Sequence, residues 1–105
     1  MSEPVRFASE ASSEPQDAVR WYEDQRAGLG AAFLAAVEAT VDLLVRWPRS
    51  GAVITGVSAE PEIRRLPVYR FPYHVAYVIT EDQIYVLAVA HDRRRPRYWR
   101  GRVAG

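Results

Sequence analysis

The sequence predicts an α+β domain in which an antiparallel helical hairpin packs on one face of an antiparallel sheet. Three observations carry that expectation. Leu29, Phe33, Val37, Val41 and Leu44 recur at spacings of four, four, four and three, which is one face of an α-helix. Farther along, Tyr73–Ile79 and Ile84–His91 are runs of β-branched and aromatic residues separated by the polar break Glu81-Asp82, the pattern of a β-hairpin. The helical pattern precedes the strand patterns instead of alternating with them, so helices and sheet segregate into two layers.

Taken in order, Val5–Ala8 follows Pro4 and reads as a short first strand. Ser13 followed by Gln16 fits a capping box, with Pro15 tolerated in the first turn, so a helix is expected from there to about Arg26. Its apolar side would be Ala18, Val19, Trp21 and Tyr22, and Gly28 is the expected stop. Only Gly28-Leu29-Gly30 separates this helix from the next, short enough to require an antiparallel hairpin. Leu34 and Val45 widen the second helix's stripe, Asp42 and Arg46 form a favourable i,i+4 pair on its polar side, and Trp47-Pro48 ends it. A loop with a brief strand spans residues 49–60, and three to four antiparallel strands complete the sheet. Along Tyr73–Ile79 the bulky odd positions suit the face beneath the helices, which sends His74 to the opposite face. Arg64 and Arg65 are adjacent in a strand and must point to opposite faces, so only one of them can look into a groove on the sheet, with Arg65 the candidate. Glu60 and Glu62 flank that strand as candidate partners for these arginines.

The 105 residues, 49% apolar and 26% charged, suit one globular domain covering residues 1–105. Without cysteine there is neither disulfide nor thiolate metal site. No apolar run approaches the ~20 residues of a membrane span, and Met1-Ser2-Glu3-Pro4 does not open like a signal peptide, so a cytoplasmic location is expected. Zinc-ligand spacing, phosphate-binding glycine loops and dinucleotide fingerprints are absent, so neither metal nor cofactor is expected. All fourteen cationic side chains are arginine; six of them fall between Arg93 and Gly105, where there is no acid. That basic end, with Tyr98-Trp99, and the histidines His74 and His91 are where a partner contact is sought.

Several separated motifs occur in a recognisable order: Trp21-Tyr22-Glu23, Gly28-Leu29-Gly30 with Phe33, a proline ending helix two, Ile63-Arg64-Arg65, Arg70-Phe71-Pro72-Tyr73, and Val89-Ala90-His91 followed by Arg93. Together they resemble the RelE/ParE superfamily of bacterial type II toxin–antitoxin toxins, over residues 4–99. The resemblance implies a helical hairpin on an antiparallel sheet, with the first strand joining beside the last. It implies growth inhibition or plasmid stabilisation, with neutralisation by a cognate antitoxin in a hetero-oligomer, or a homodimer of the toxin itself. Two mechanisms exist among relatives. ParE-like toxins poison DNA gyrase without nuclease chemistry; RelE-like toxins cleave mRNA on the ribosome.

A nuclease of the second kind must deprotonate a ribose hydroxyl, stabilise charge on phosphorus and protonate a leaving oxygen. The candidates for that chemistry are His91, His74, Arg65 and Tyr98. Target or phosphate contacts fall to Arg70, Arg93, Arg95 and Arg97. The absence of lysine and the His91-Asp92-Arg93 ending of the last strand favour the gyrase reading, with the ribonuclease as the alternative. A member that still binds its antitoxin but has lost its toxicity is a third reading.

Overall fold

A computed structural model describes residues 5–54, 62–80 and 83–93. Strand β1 (Val5–Phe7) is followed by helices α1 (Ser9–Gln25) and α2 (Leu29–Arg46) and a tight helical turn over Pro48–Ser50. Strands β2 (Ala52–Val53), β3 (Ile63–Pro67), β4 (Tyr73–Ile79) and β5 (Ile84–His91) then complete one five-stranded sheet in the order β1-β5-β4-β3-β2. The α+β class and the hairpin of helices agree with the sequence reading. The sheet is wider than three to four strands and not wholly antiparallel, because β1 pairs with β5 in parallel, Val5 opposite Ile84.

Helix α1 begins four residues before the expected capping box. Ala8 donates its N–H to Val86 O, ending the pairing with β5, and the helix starts at Ser9 with no side-chain cap. Ser12 and Ser13 instead turn their hydroxyls back onto the carbonyls of Ser9 and Glu10. Pro15 therefore lies inside the helix, where it has no N–H for the carbonyl one turn back. The start is set by where β1 leaves the sheet, and the helix takes over the edge: Glu14 accepts the Val89 N–H at 3.0 Å.

The helices join through Gly28, at φ 90°, and α2 already begins at Leu29. Glu23 accepts the N–H groups of both Gly28 and Gly30, supplying the acceptor that the helix start lacks. A Cβ on Gly30 would lie 2.6 Å from Val19 O, so the two helices approach closely at this glycine and leave no room for a side chain. Buried positions on α2 are Gly30, Phe33, Val37, Thr40 and Leu44. Thr40 replaces the expected Val41, its hydroxyl bonded to Ala36 O at 2.8 Å, and Leu34 is exposed. The Asp42–Arg46 pair is not among the ion pairs of the described residues. Tyr22 faces inward, stacked on Phe33 at 5.2 Å, whereas Trp21, expected beside it on the apolar side, is 59% exposed.

One irregularity in the sheet decides where the candidate residues go. Ala76 pairs with Ala88 but Tyr77 with Val86, which leaves Leu87 as an extra residue in β5. Before this bulge Ile84 and Val86 face the helices; after it Val89 and His91 do. The odd residues of β4 also lie on the helix side, as expected. The opposite face is apolar through its middle: Ile63, Ala76, Val78, Leu87, Ala88 and Ala90 are at most 3% exposed.

Candidate functional site

The two histidines do not meet. His74 pairs with Ala90, on the face away from the helices, and His91 pairs with Tyr73, on the helix side. Each has its own set of partners.

On the first face, Pro67 and Arg65 of β3 stand opposite His74 and Ala76. Asp92, one residue past β5 and anchored by its N–H to Pro72 O, accepts the His74 Nδ1–H at 2.9 Å. The same carboxylate oxygen lies 3.6 Å from Arg65, with both of those side chains nearly half exposed, a pair adding about 0–1 kcal/mol. Arg65 and His74 are thus brought together through an aspartate that sequence reasoning missed. Its signal was available, since Asp92 is the only acid from residue 83 onward. Burial lowers the pKa of His74, and the nearby Arg65 lowers it further; the hydrogen bond and charge of Asp92 oppose this without reversing it. The contact is therefore a hydrogen bond from a neutral imidazole at pH 7, not an ion pair.

The unfolded histidine titrates near ~6.5 and the folded one lower, so between those values the unfolded state binds more protons. Stability is full above pH ~6.5 and declines as pH falls below it. Urea unfolding across this range checks the slope, and stability that rises on acidification would show the burial argument to be wrong. Asp92→Asn should lower the His74 pKa further, measured by its imidazole proton shifts.

Arg64 takes the other face, as the strand geometry required. It donates to Gly51 O at 2.7 Å and Arg49 O at 3.2 Å and pairs with Glu62 at 2.9 Å, so it staples the segment after α2 to the sheet. Glu60, its other candidate partner, lies outside the described residues.

Arg70 sits in the β3–β4 turn at φ 75°, a region that L residues occupy at a cost of roughly 1–2 kcal/mol. Phe71 N–H bonds to Val68 O around it, the turn geometry in which glycine is favoured at this position. Its guanidinium lies 5.9 Å from the ring of Tyr69, itself 78% exposed, so the tip displays an aromatic and a cation together. Arg70→Gly should leave stability equal or raise it by up to ~1 kcal/mol, because the strain relieved offsets the added freedom of the unfolded chain. A loss above ~1 kcal/mol in urea would mean that the arginine side chain stabilises the turn.

His91 accepts the Arg93 N–H at Nδ1, 3.0 Å, which places its proton on Nε2. Its ring meets Tyr73 edge-to-face at 5.1 Å. The two help line an open cleft of about 490 Å³ with Asp17, Trp21, Tyr22 and Pro72. Burial raises the pKa of Tyr22, and likewise of Tyr73, where Tyr22 adds to the effect. Arg93 is exposed at the end of β5, while Arg95, Arg97 and Tyr98 lie outside the described residues. Among the described residues no three His, Asp or Glu side chains converge to hold a metal ion, and no helix is long and apolar enough to cross a membrane.

The family model described as the ParE toxin of type II toxin–antitoxin system, parDE, matches residues 5–96. Among solved structures, a chain described as "Chromosomal ParDE TA system from P. aeruginosa" superposes with a TM-score of 0.70 at 16% identity, over 85% of this chain and 95% of that one. At that identity the likeness shows the fold alone. No curated protein matches the chain.

Proposed function

Because the chain belongs to the ParE toxin family of type II toxin–antitoxin systems, we propose that it inhibits growth by binding DNA gyrase and is neutralised by a cognate antitoxin, all in the cytoplasm. The observation that carries the gyrase reading is the separation of the histidines. His74 and His91 lie on opposite faces of the sheet, so the two histidines cannot act as an acid–base pair around one phosphate. Arg65, the candidate phosphate clamp, faces a carboxylate already beside it. A toxin that works by occupying its target needs no such pair.

The contacts assigned to the target are Arg93, Arg95, Arg97 and Tyr98 at the basic end, with Arg70 at the strained turn tip. An arginine held where glycine would fit more easily is what a contact residue looks like. The antitoxin is assigned the groove where Phe7, Leu34 and Val41 meet Ala11 and Pro15, of about 420 Å³ and edged by Glu38 and Asp42. Its occupant is an amphipathic helix with apolar anchors and basic flanks, in a toxin–antitoxin hetero-oligomer.

A ribonuclease is the second reading, and one observation favours it. Asp92 receives the His74 Nδ1–H beside Arg65, which leaves Nε2 as a proton acceptor. Purified toxin assayed for gyrase supercoiling and for mRNA cleavage on ribosomes separates the two. Lost supercoiling with intact transcripts is the expected result. Transcript cuts that fall about 100-fold or more in His74→Ala or His91→Ala would replace it with the nuclease. Changing Arg93, Arg95 and Tyr98 together to Ala should relieve growth inhibition yet spare antitoxin binding, since exposed arginines add little to folding. Full toxicity in a folded triple variant would remove the basic end from the contact surface. Antitoxin binding with neither activity would identify an inactive member.

A further inference from the structure

The cleft beside His91 takes no part in the proposed gyrase or antitoxin contacts, and aromatic residues dominate its lining. Aromatic rings form its walls: Trp21, Tyr22 and Tyr73, with Tyr22 and Tyr73 6.3 Å apart and Trp21 edge-to-face with Tyr22 at 5.1 Å. Trp21 gives little to the core, being 59% exposed on a helix whose neighbouring Tyr22 already fills the inward position. The one charged side chain among the described residues lining the cleft is Asp17, four residues before Trp21 and so on the same side of α1. Aromatic faces with a carboxylate at the rim attract a cation through ring quadrupoles and direct charge.

We propose that this cleft binds an arginine side chain of a partner polypeptide. The planar guanidinium stacks among the rings of Trp21 and Tyr73, and its fork reaches the Asp17 carboxylate. A nucleobase would also stack on these rings, but a nucleotide brings phosphate toward Asp17, and the described lining offers no arginine or lysine to receive it. His91 has Nδ1 occupied by the Arg93 backbone N–H, which leaves it a single ring N–H and no paired donors for a phosphate. The site goes beyond the toxin reading and stands whether or not gyrase is the target, because it rests only on the rings and the acid.

The test uses the full chain with Trp47 and Trp99 changed to Phe, leaving Trp21 as the sole indole reporter. N-acetyl-arginine amide should change Trp21 emission saturably, whereas the uncharged N-acetyl-citrulline amide and adenosine monophosphate should not. Asp17→Asn, at an exposed position, should weaken the arginine probe by about fivefold or more with circular dichroism unchanged. Equal response to citrulline, a response to adenosine monophosphate in place of arginine, or unchanged affinity in Asp17→Asn would each overturn the proposal.

Discussion

Phe33→Ala lowers the unfolding free energy by about 3–5 kcal/mol, a large share of the roughly 5–15 kcal/mol that holds a domain of this size together. Phe33 is fully buried and is the ring that both layers share. It stacks on Tyr22 of α1 at 5.2 Å and meets Phe71 of the β3–β4 turn at 5.1 Å and Tyr73 of β4 at 4.9 Å. Deleting it removes apolar burial and leaves a hole between rings that are held from three directions, so collapse into the space is limited. The urea midpoint should fall with the slope unchanged, since the same surface still unfolds. A loss below ~1 kcal/mol would mean that the two layers are not joined through this side chain.

Tyr77→Phe is expected to cost about 2–5 kcal/mol although it removes a single oxygen. The ring is fully buried at the centre of β4, so the substitution leaves packing intact and isolates the hydroxyl. That hydroxyl donates to Pro48 O at 2.7 Å and accepts the N–H of buried Gly51 at 3.0 Å. Without it the buried Gly51 N–H and the partly buried Pro48 carbonyl both lose a partner, at up to ~1–3 kcal/mol each. A Cβ on Gly51 would come within 2.5 Å of the same oxygen, which explains the glycine there. Hydrogen exchange at the Gly51 amide should accelerate in the variant while the amides of α2 stay protected. A cost below ~0.5 kcal/mol would show that water replaces the hydroxyl at no penalty.

The features that the sequence determined by itself are those with a local period. The stripe on α2 and its end at Trp47-Pro48 follow from helical spacing, and the inward odd residues of β4 from strand alternation. Arg64 and Arg65 part to opposite faces for the same reason. Such patterns need no knowledge of what the element packs against. The helix-two residue Thr40 shows the limit, because a four-residue spacing drifts away from the true 3.6-residue turn and names Val41 instead.

What only the tertiary structure decided depends on partners far along the chain. The start of α1 is one case: Ser13 and Gln16 look like a cap, but the place where β1 leaves β5 puts the first turn at Ser9. The histidines are the other. Strict alternation from Ile84 would have put His91 on the face of His74, the arrangement a two-histidine catalyst needs. The extra residue Leu87 reverses that parity, and His91 turns to the aromatic cleft under α1 while Asp92 reaches His74 in its stead. A bulge is a mismatch in length between two strands, so neither strand's own residues announce it, and one residue of slip moves every later side chain to the other face.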